Sequence, residues 1–510
     1  MKNCVLGIDA GGTMTKAALF DYSGRELACA RRKNVMAFPH SGWTERDPEG
    51  MWQATAEAIR EVLTLADIEP QDIAAVSVAG YGSGLYIVDD AANPVRPGIV
   101  STDSRAAALI AEWTEAGLAA QVEPMIQQRL WAGQSLALLG WLQRHEPEVI
   151  RPGHHVLFCK DFLRAKLCGD FSTDPSDAGI AGLIDVTRSA YAEDALRLLG
   201  LEAWLPLLPP IGPSCDIVGG ITAEAARLTG LHEGTPVVRG VVDVTAAALS
   251  SGLTRPEEMS VVAGTFSINS TLHATPRQSL APFLQTPYPL GGYLATEGAA
   301  TSASNLEWMV KTLLTHGGAL PPEQAAGIYD VINTAVSRKL GQPREALFFP
   351  FLFGGPDGAP AGLLGMTAEY SFDDMMLAVF EGIVFAHKVD VDRLLSGNDA
   401  ARPQVIRLAG GASRSELWSE MFADILGLPV EVPEGSELGA LGVAICAAAG
   451  IGAHGSLKEA VTAMTRIGRR HEGDARRARP YLAKYPRYLG LSAALAAAWS
   501  PSGTAGVQHV

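Results

Sequence analysis

Apolar and polar positions fall into short blocks at the start of the chain. Cys4–Ile8 is an apolar run, Asp9-Ala-Gly-Gly-Thr13 is polar and glycine-rich, Thr15–Phe20 is apolar again, and Asp21-Tyr-Ser-Gly24 turns the chain once more. Runs of that length bounded by turn residues predict strand, tight turn, strand. Glu26–Arg31 adds a third strand. Trp52, Ala56, Ile59 and Leu63 share one face of a helix that starts at Asp47 or Pro48. Ile73–Ala79 reads as a strand ending at Gly80-Tyr-Gly-Ser-Gly84, and Leu85–Val88 as another. Ile99–Arg105 is a strand end that carries Asp103 and Arg105 into a helical stretch reaching about Lys166. Val237–Val242 reads as a strand, with a helix beginning at Asp243 directly after it.

The opening pattern returns near the middle of the chain. Met259–Ala263, Gly264-Thr265 and Phe266–Leu272 again read as strand, turn, strand, which suggests two halves built on one plan. Ala346–Phe353 is strand-like, Asp373–Leu394 a long amphipathic helix, and Val405–Leu408 a strand leading into Gly410-Gly-Ala-Ser413 and a helix through Asp424. Gly439-Ala-Leu-Gly442 opens one more helix. A chain of 510 residues is too long for one core. The expected division is 1–253 and 254–495, with 496–510 a disordered tail.

The first turn carries the candidate chemistry. Glycines let backbone N–H groups approach an anion, and Thr13, Thr15 and Lys16 add hydroxyl and ammonium donors. Asp9, at the strand end, suits a hydrated magnesium ion. An ordinary hairpin turn is the alternative. A Rossmann or P-loop fold needs its glycine loop to feed a helix, whereas Gly11-Gly12 feeds a strand, and Gly-x-x-x-x-Gly-Lys-Ser/Thr does not occur. Two mixed α/β domains facing across a nucleotide cleft are the better expectation.

Bulk properties narrow the function. Hydrophobic residues make up 47% and charged residues 19%, the balance of a globular protein with a large core. A net charge of −15 argues against a general nucleic-acid binder or an anionic membrane partner. The scattered Cys4, Cys29, Cys159, Cys168, Cys215 and Cys446 contain no C-x-x-C, which points to a reducing cytoplasm. A strand within four residues of the N-terminus leaves no room for a signal peptide, and no run of about 18 apolar residues spans a membrane.

Four stretches together resemble the FGGY family of carbohydrate kinases. They are Gly7-Ile-Asp-Ala-Gly-Gly-Thr13, Gly240-Val-Val-Asp243, Gly264-Thr265 and Leu408-Ala-Gly-Gly-Ala-Ser-Arg-Ser-Glu-Leu-Trp418, the last continuing into Ala423–Gly427 and Glu437-Leu-Gly-Ala-Leu-Gly442. Lys160-Asp-Phe-Leu163 with Thr173-Asp174, and Gly365–Glu381, look like further signatures. The resemblance runs in order over about residues 3–490. Gly42-Trp-Thr-Glu-Arg-Asp47, Ser101-Thr-Asp-Ser-Arg105, Leu130-Trp-Ala-Gly133, His145-Glu-Pro147 and Asn305-Leu-Glu-Trp308 look most like its L-xylulose kinase and xylulokinase branch.

The resemblance implies an α/β fold of two ribonuclease H-like (actin-like ATPase) domains flanking a catalytic cleft, with the sugar site and base in 1–253 and the ATP site in 254–495. Asp243 then takes the place of the catalytic aspartate; a plain helix-capping aspartate is the alternative reading of the residue itself. ATP and Mg2+ are the implied cofactors. Asp9 positions the metal, and Gly11, Gly12, Thr13, Thr15 and Lys16 face the phosphates from one domain and Gly264 and Thr265 from the other. Gly410, Gly411 and Ala412 lie under ribose and adenine, with Ser415 nearby. Gly80, Tyr81, Asp103 and Asp243 are the implied sugar contacts. Asp103 reads equally as a salt-bridge partner of Arg105. Trp43 and Trp131 read as core or as pocket walls.

The expected reaction is transfer of the γ-phosphoryl group of ATP to a primary hydroxyl of a ketopentose, L-xylulose or a xylulose-like sugar. Erythritol, glycerol and keto-gulonate are alternative acceptors. Ser101 stands where the glycerol-kinase pattern has tryptophan, and Tyr81-Gly82 where the D-xylulose-kinase pattern has Met-His. A non-sugar actin-like ATPase switch, and a phosphatase or sugar sensor on the same fold, are the readings from other classes. A homodimer is common among such relatives.

Overall fold

The computed structural model describes residues 4–278, 282–315, 327–342, 344–435 and 437–499. Two large sheets organise it. The first contains β1 (Cys4–Ala10), β2 (Met14–Asp21), β3 (Glu26–Lys33), β4 (Ile73–Gly80), β5 (Ile217–Gly220) and β6 (Pro236–Val238), in the order β5-β6-β4-β1-β2-β3. The second contains β7 (Glu258–Ala263), β8 (Ser267–His273), β9 (Leu284–Pro287), β10 (Tyr293–Ala299), β11 (Val405–Ala409), β12 (Val430–Pro433) and β13 (Ile467–His471), in the order β9-β10-β8-β7-β11-β12-β13.

The two sheets repeat one plan. β1 runs antiparallel to β2 and parallel to β4, β2 antiparallel to β3, and β4 parallel to β6. β7, β8, β10, β11 and β12 take those same places in the second sheet. The midpoint repeat of the sequence is therefore a structural repeat, and each hairpin turn sits at the end of its sheet's central strand.

Every residue of β1 is buried, as a central strand covered on both faces requires. Leu6 and Ile8 pack with Trp52 and Ile59 of α1 (Pro48–Ala66) and Phe162 of α2 (Cys159–Cys168). A short helix, α3 (Pro175–Ile180), follows, and α4 (Asp243–Ser250) begins just after β6. The second sheet packs its Met259, Val261 and Leu408 against Phe380 and Ile383 of α5 (Phe372–Leu394) and Phe422 of α6 (Glu416–Leu426). Val5, on the other face of β1, packs with Leu249 of α4 and Leu441 and Ile445 of α7 (Leu438–Gly450). So α7 comes from the second half of the chain but closes the first sheet. Glycines permit it: a β-carbon on Gly7 would lie 2.8 Å from the Ala440 carbonyl carbon, and one on Gly442 2.6 Å from Ala246 Cα. A third cluster, including Leu109, Trp113, Leu138 and Trp204, holds the helical stretch between β4 and α2 together with the segment that follows α3.

Two strand expectations shorten. Val237–Val242 ends its pairing at Val238, because Arg239 and Gly240 donate their N–H groups to Asp216 and Ser214 in a loop. Of Ala346–Phe353 only Leu347–Phe349 pairs, and the Leu352 N–H goes to Asn305 Oδ1 instead. Residues 496–499, expected as the start of a disordered tail, complete the helix Ala475–Trp499; 500–510 lie outside the described residues. Among the described residues no helix is long and apolar enough to cross a membrane.

Candidate active site

The first turn is shaped from behind. Gly11 N–H bonds to Met14 O at 3.0 Å and closes it. Asn34 donates its side-chain amide to Gly11 O at 2.8 Å and its backbone N–H to Thr13 O at 2.9 Å, and Arg46 donates to Gly12 O. With its carbonyls held inward, the accessible part of the turn is Gly12 and the exposed Thr13. Thr15, expected among the phosphate donors, is fully buried and gives its hydroxyl to Asn34 Oδ1 at 2.9 Å. It supports the turn rather than lining it, because its place in β2 points it into the sheet. Asn34 and Arg46 are supports that sequence reasoning missed, though Arg46 lies inside the Gly42–Asp47 motif.

Asp9 and Lys16 face one another across the hairpin. Lys16 Nζ lies 3.0 Å from Glu437 Oε2 and 3.9 Å from Asp9 Oδ2. Glu437, just ahead of α7, also accepts from Arg31. Burial pushes the Asp9 carboxyl up, Lys16 pulls it down and Glu437 pushes it up again, with a net rise. Nothing in the motif Glu437–Gly442 signalled that its glutamate reaches back to the first hairpin.

The second turn and the Gly410 loop come together. Gly410, at φ 87°, puts its α-carbon against β7: a β-carbon there would lie 2.6 Å from the Ala263 carbonyl and 2.9 Å from Gly264 N. Gly264 has nothing within 4 Å of that position and Thr265 is exposed, so this turn too presents backbone outward. Gly411 follows, with Ala263 O 3.9 Å from where its β-carbon would lie, and Ala412 is buried. Ser415 caps α6, accepting from Trp418 N–H at 3.2 Å and donating to Asn333 Oδ1 at 2.8 Å. That role occupies its hydroxyl.

Asp243 opens α4 and is half-buried. Its carboxylate accepts from Val244 N–H at 2.7 Å and from the backbone of Gly82. Burial, and next the charge of Asp9, push its carboxyl up to about 7, against the pull of those two amides. Beside it, Trp131 packs with Phe283, Ile180, Val242 and Leu284, and its indole N–H is buried without a partner among the described residues.

The expected sugar contacts divide. Gly80 ends β4, where a β-carbon would meet Lys160 N at 2.7 Å. Tyr81 is buried, its hydroxyl 2.7 Å from that of Tyr86 and its ring under the Arg46 guanidinium, so it forms a wall. Asp103 takes the salt-bridge alternative. Its oxygens accept from Arg105 N–H at 2.8 Å, Arg105 Nε and Nη2 at 2.9 Å and Thr44 N–H at 2.6 Å, which fills a carboxylate. Arg105 stacks on Trp43, 4.0 Å from its ring, and Trp43 meets Trp141 edge-on. Trp43 is thus packing, and Trp131 is the tryptophan that packs with Val242 and Val244 on either side of Asp243.

No group of three or more His, Cys, Asp or Glu side chains forms a metal cage among the described residues. The donors do fit a magnesium ion that keeps most of its water and bridges to phosphates, which needs one or two carboxylates. Asp9 and Asp243 are both pushed up, Asp243 in part by the charge of Asp9.

Residues 4–250 match the N-terminal domain model of the FGGY family of carbohydrate kinases, and residues 259–451 its C-terminal domain model. A probable L-xylulose kinase of Pasteurella multocida (strain Pm70) is 34% identical over 500 residues, 97% of this chain and 99% of its own. The L-xylulose/3-keto-L-gulonate kinase of Escherichia coli (strain K12) is 32% identical over 494 residues, covering 96% and 97%. The crystal structure of xylulose kinase from Rhodospirillum rubrum superposes with a TM-score of 0.81 at 27% identity, over 96% of this chain and 99% of that one. Two like-ordered sheets, a glycine turn at each central strand and two matched domain models make this chain a member of the FGGY family, a two-domain carbohydrate kinase.

Proposed function

We propose that the protein transfers the γ-phosphoryl group of ATP to a primary hydroxyl of a ketopentose, L-xylulose or a xylulose-like sugar, with Asp243 as the general base. The observation that carries this reading is the Asp243 carboxyl, pushed up to about 7 yet held by two backbone amides at the start of a helix. A base whose pKa lies near the working pH both accepts a proton readily and is substantially ionised beforehand. In this reading Asp243 takes the proton as the sugar oxygen attacks. The turns at Gly11–Thr13 and Gly264–Thr265 bind the phosphates from either side, and the Gly410–Ala412 loop lies under the nucleoside.

Asp9 holds the magnesium ion, which supplies charge neutralisation on the phosphates when bound. Lys16 stays on Glu437 and sets the field around Asp9. Trp131 lines the sugar side, with its indole N–H offered to a hydroxyl. Closure of the two halves on both substrates keeps water from taking the phosphoryl group. The six free cysteines suit a reducing cytoplasm.

The 3-keto-L-gulonate named for the Escherichia coli relative supports a second acceptor class, a keto sugar acid. A coupled ADP-release assay over L-xylulose, D-xylulose, erythritol, glycerol and 3-keto-L-gulonate tests both. Turnover that rises with L-xylulose supports the first reading, and preference for the acid supports the second. ATP hydrolysis indifferent to every sugar overturns both.

A further inference from the structure

The short helix α3 grips the base from two sides. Ser176 Oγ accepts from the backbone N–H of Val242, the residue just before Asp243, at 3.1 Å. The same hydroxyl donates to Asp174 Oδ2 at 2.6 Å. Asp174 caps α3, and its carboxylate also accepts from Ser176 N–H at 3.0 Å and Ser214 Oγ at 2.9 Å, with Lys160 Nζ at 3.1 Å. At the other end of α3, Ile180 O accepts from Ser83 Oγ at 3.1 Å. Ser83 follows Gly82, whose amide holds Asp243, and sits in the left-handed region at φ 62°. Packing ties the same parts together: a β-carbon on Gly82 would lie 2.7 Å from Ile180 Cγ2 and 2.9 Å from Val242 Cγ2.

A third link reaches the other half. Thr286 of β9 donates to the carbonyls of Ser176 at 2.8 Å and Pro175 at 3.1 Å. The helix that braces the base is therefore also a seat for the edge of the second sheet.

We propose that Ser176 and Ser83 are positioning residues for Asp243, holding through α3 the two peptide segments that aim its carboxylate. This rests on Asp243 being the base. Ser176 fixes the peptide that precedes the carboxylate, and Ser83 fixes the loop whose amide bonds to it. Without the Ser176 hydroxyl, Val242 N–H is a buried donor with no acceptor, and the turn shifts to find one. A displacement of about 1 Å at a reacting group costs about 10²-fold in rate.

The test is steady-state kinetics on the full chain with Ser176→Ala, Ser83→Ala, Ser176→Thr and Asp243→Ala. Ser176→Ala and Ser83→Ala should each lower kcat by about 10- to 100-fold and leave KM for ATP within about twofold. The rising limb of the pH profile should move to higher pH, since the amides that favour the ionised carboxylate lose their alignment. Ser176→Thr, which keeps the hydroxyl, should restore most of kcat. Wild-type kcat and an unmoved limb in both alanine variants, with Asp243→Ala inactive, overturn the positioning role alone. A loss that tracks the melting temperature and is not restored by threonine also overturns it. If Asp243→Ala keeps wild-type turnover, the base assignment falls first.

Discussion

Gly439 lies against Asp9, so close that a β-carbon on it would sit 2.7 Å from Asp9 Cγ. One residue ends the first strand and the other begins α7 near the far end of the chain, so the proposed metal ligand is shaped by both halves. Gly439→Ala forces the carboxylate aside while leaving the helix backbone intact. Turnover should fall by about 10- to 100-fold, the scale of a displacement near 1 Å, and the magnesium concentration for half-maximal rate should rise. Titration of activity with magnesium at saturating sugar checks it; an unchanged midpoint and rate would contradict the placement of Asp9.

Asp243 carries a pH prediction with two opposite faces. Its carboxyl is pushed up to about 7 by burial and then by Asp9, and the ionised form is the base, so kcat/KM should rise through about pH 7. Asp243→Ala should lower turnover by about 10²–10⁴. For stability the sign reverses. A carboxyl raised in the folded state costs stability progressively as pH climbs from its unfolded value, about 3.9, through about 7. Asp243→Asn should therefore be inactive yet unfold at higher denaturant than wild type at pH 8, with the difference gone at pH 4. Urea midpoints at both values decide it.

How far these relations could be read from the chain depends on their range. The two hairpins, the helix starts at Pro48 and Asp243 and the Gly410 turn follow from local periodicity and turn residues, and the structure has them within a few positions. Thr15 reads as a phosphate donor until its alternation in β2 is combined with the position of Asn34, a long-range fact. Asp103 and Arg105 are two residues apart, so their ion pair is within reach of a sequence reading; the Thr44 N–H that joins it arrives from another loop. Glu437 on Lys16, and Gly439 on Asp9, join segments that no pattern along the chain connects.

Lys160 is fully buried among carboxylates, 2.6 Å from Asp161, 3.1 Å from Asp174 and 3.4 Å from Asp177. Burial alone would lower its pKa, but the carboxylates outweigh that and keep it charged. Removing the cation leaves Asp174 and Asp177 without their ammonium partner and Asp161 with Arg164 alone, a change that costs about 3–5 kcal/mol for a buried pair. Lys160→Met should thus be among the most destabilising single changes in the first half, although methionine matches its length and apolar stem. A chemical denaturation midpoint within error of wild type would contradict the buried network.

The Glu437 ion pair gives the last prediction, opposite in pH dependence to Asp243. Burial raises its carboxyl, but Lys16 at 3.0 Å and Arg31 more than offset this, and it is held below its ordinary value. A lowered carboxyl adds stability that is present above the unfolded value, about 4.3, and is lost as pH falls through the folded one. Glu437→Gln should therefore cost most at neutral pH and little in acid. Lys16 and Arg31 are 30% and 45% exposed, so water screens both cations and the cost should be about 1–2 kcal/mol rather than that of a fully buried pair. Denaturation curves of wild type and variant should stand apart at pH 7 and converge below about pH 4. With Glu437 neutral, Lys16 is also freed toward Asp9, where its ammonium competes for the carboxylate and should weaken magnesium binding. A gap between the curves that persists unchanged into acid would mean that the charge of Glu437 is not what stabilises this contact.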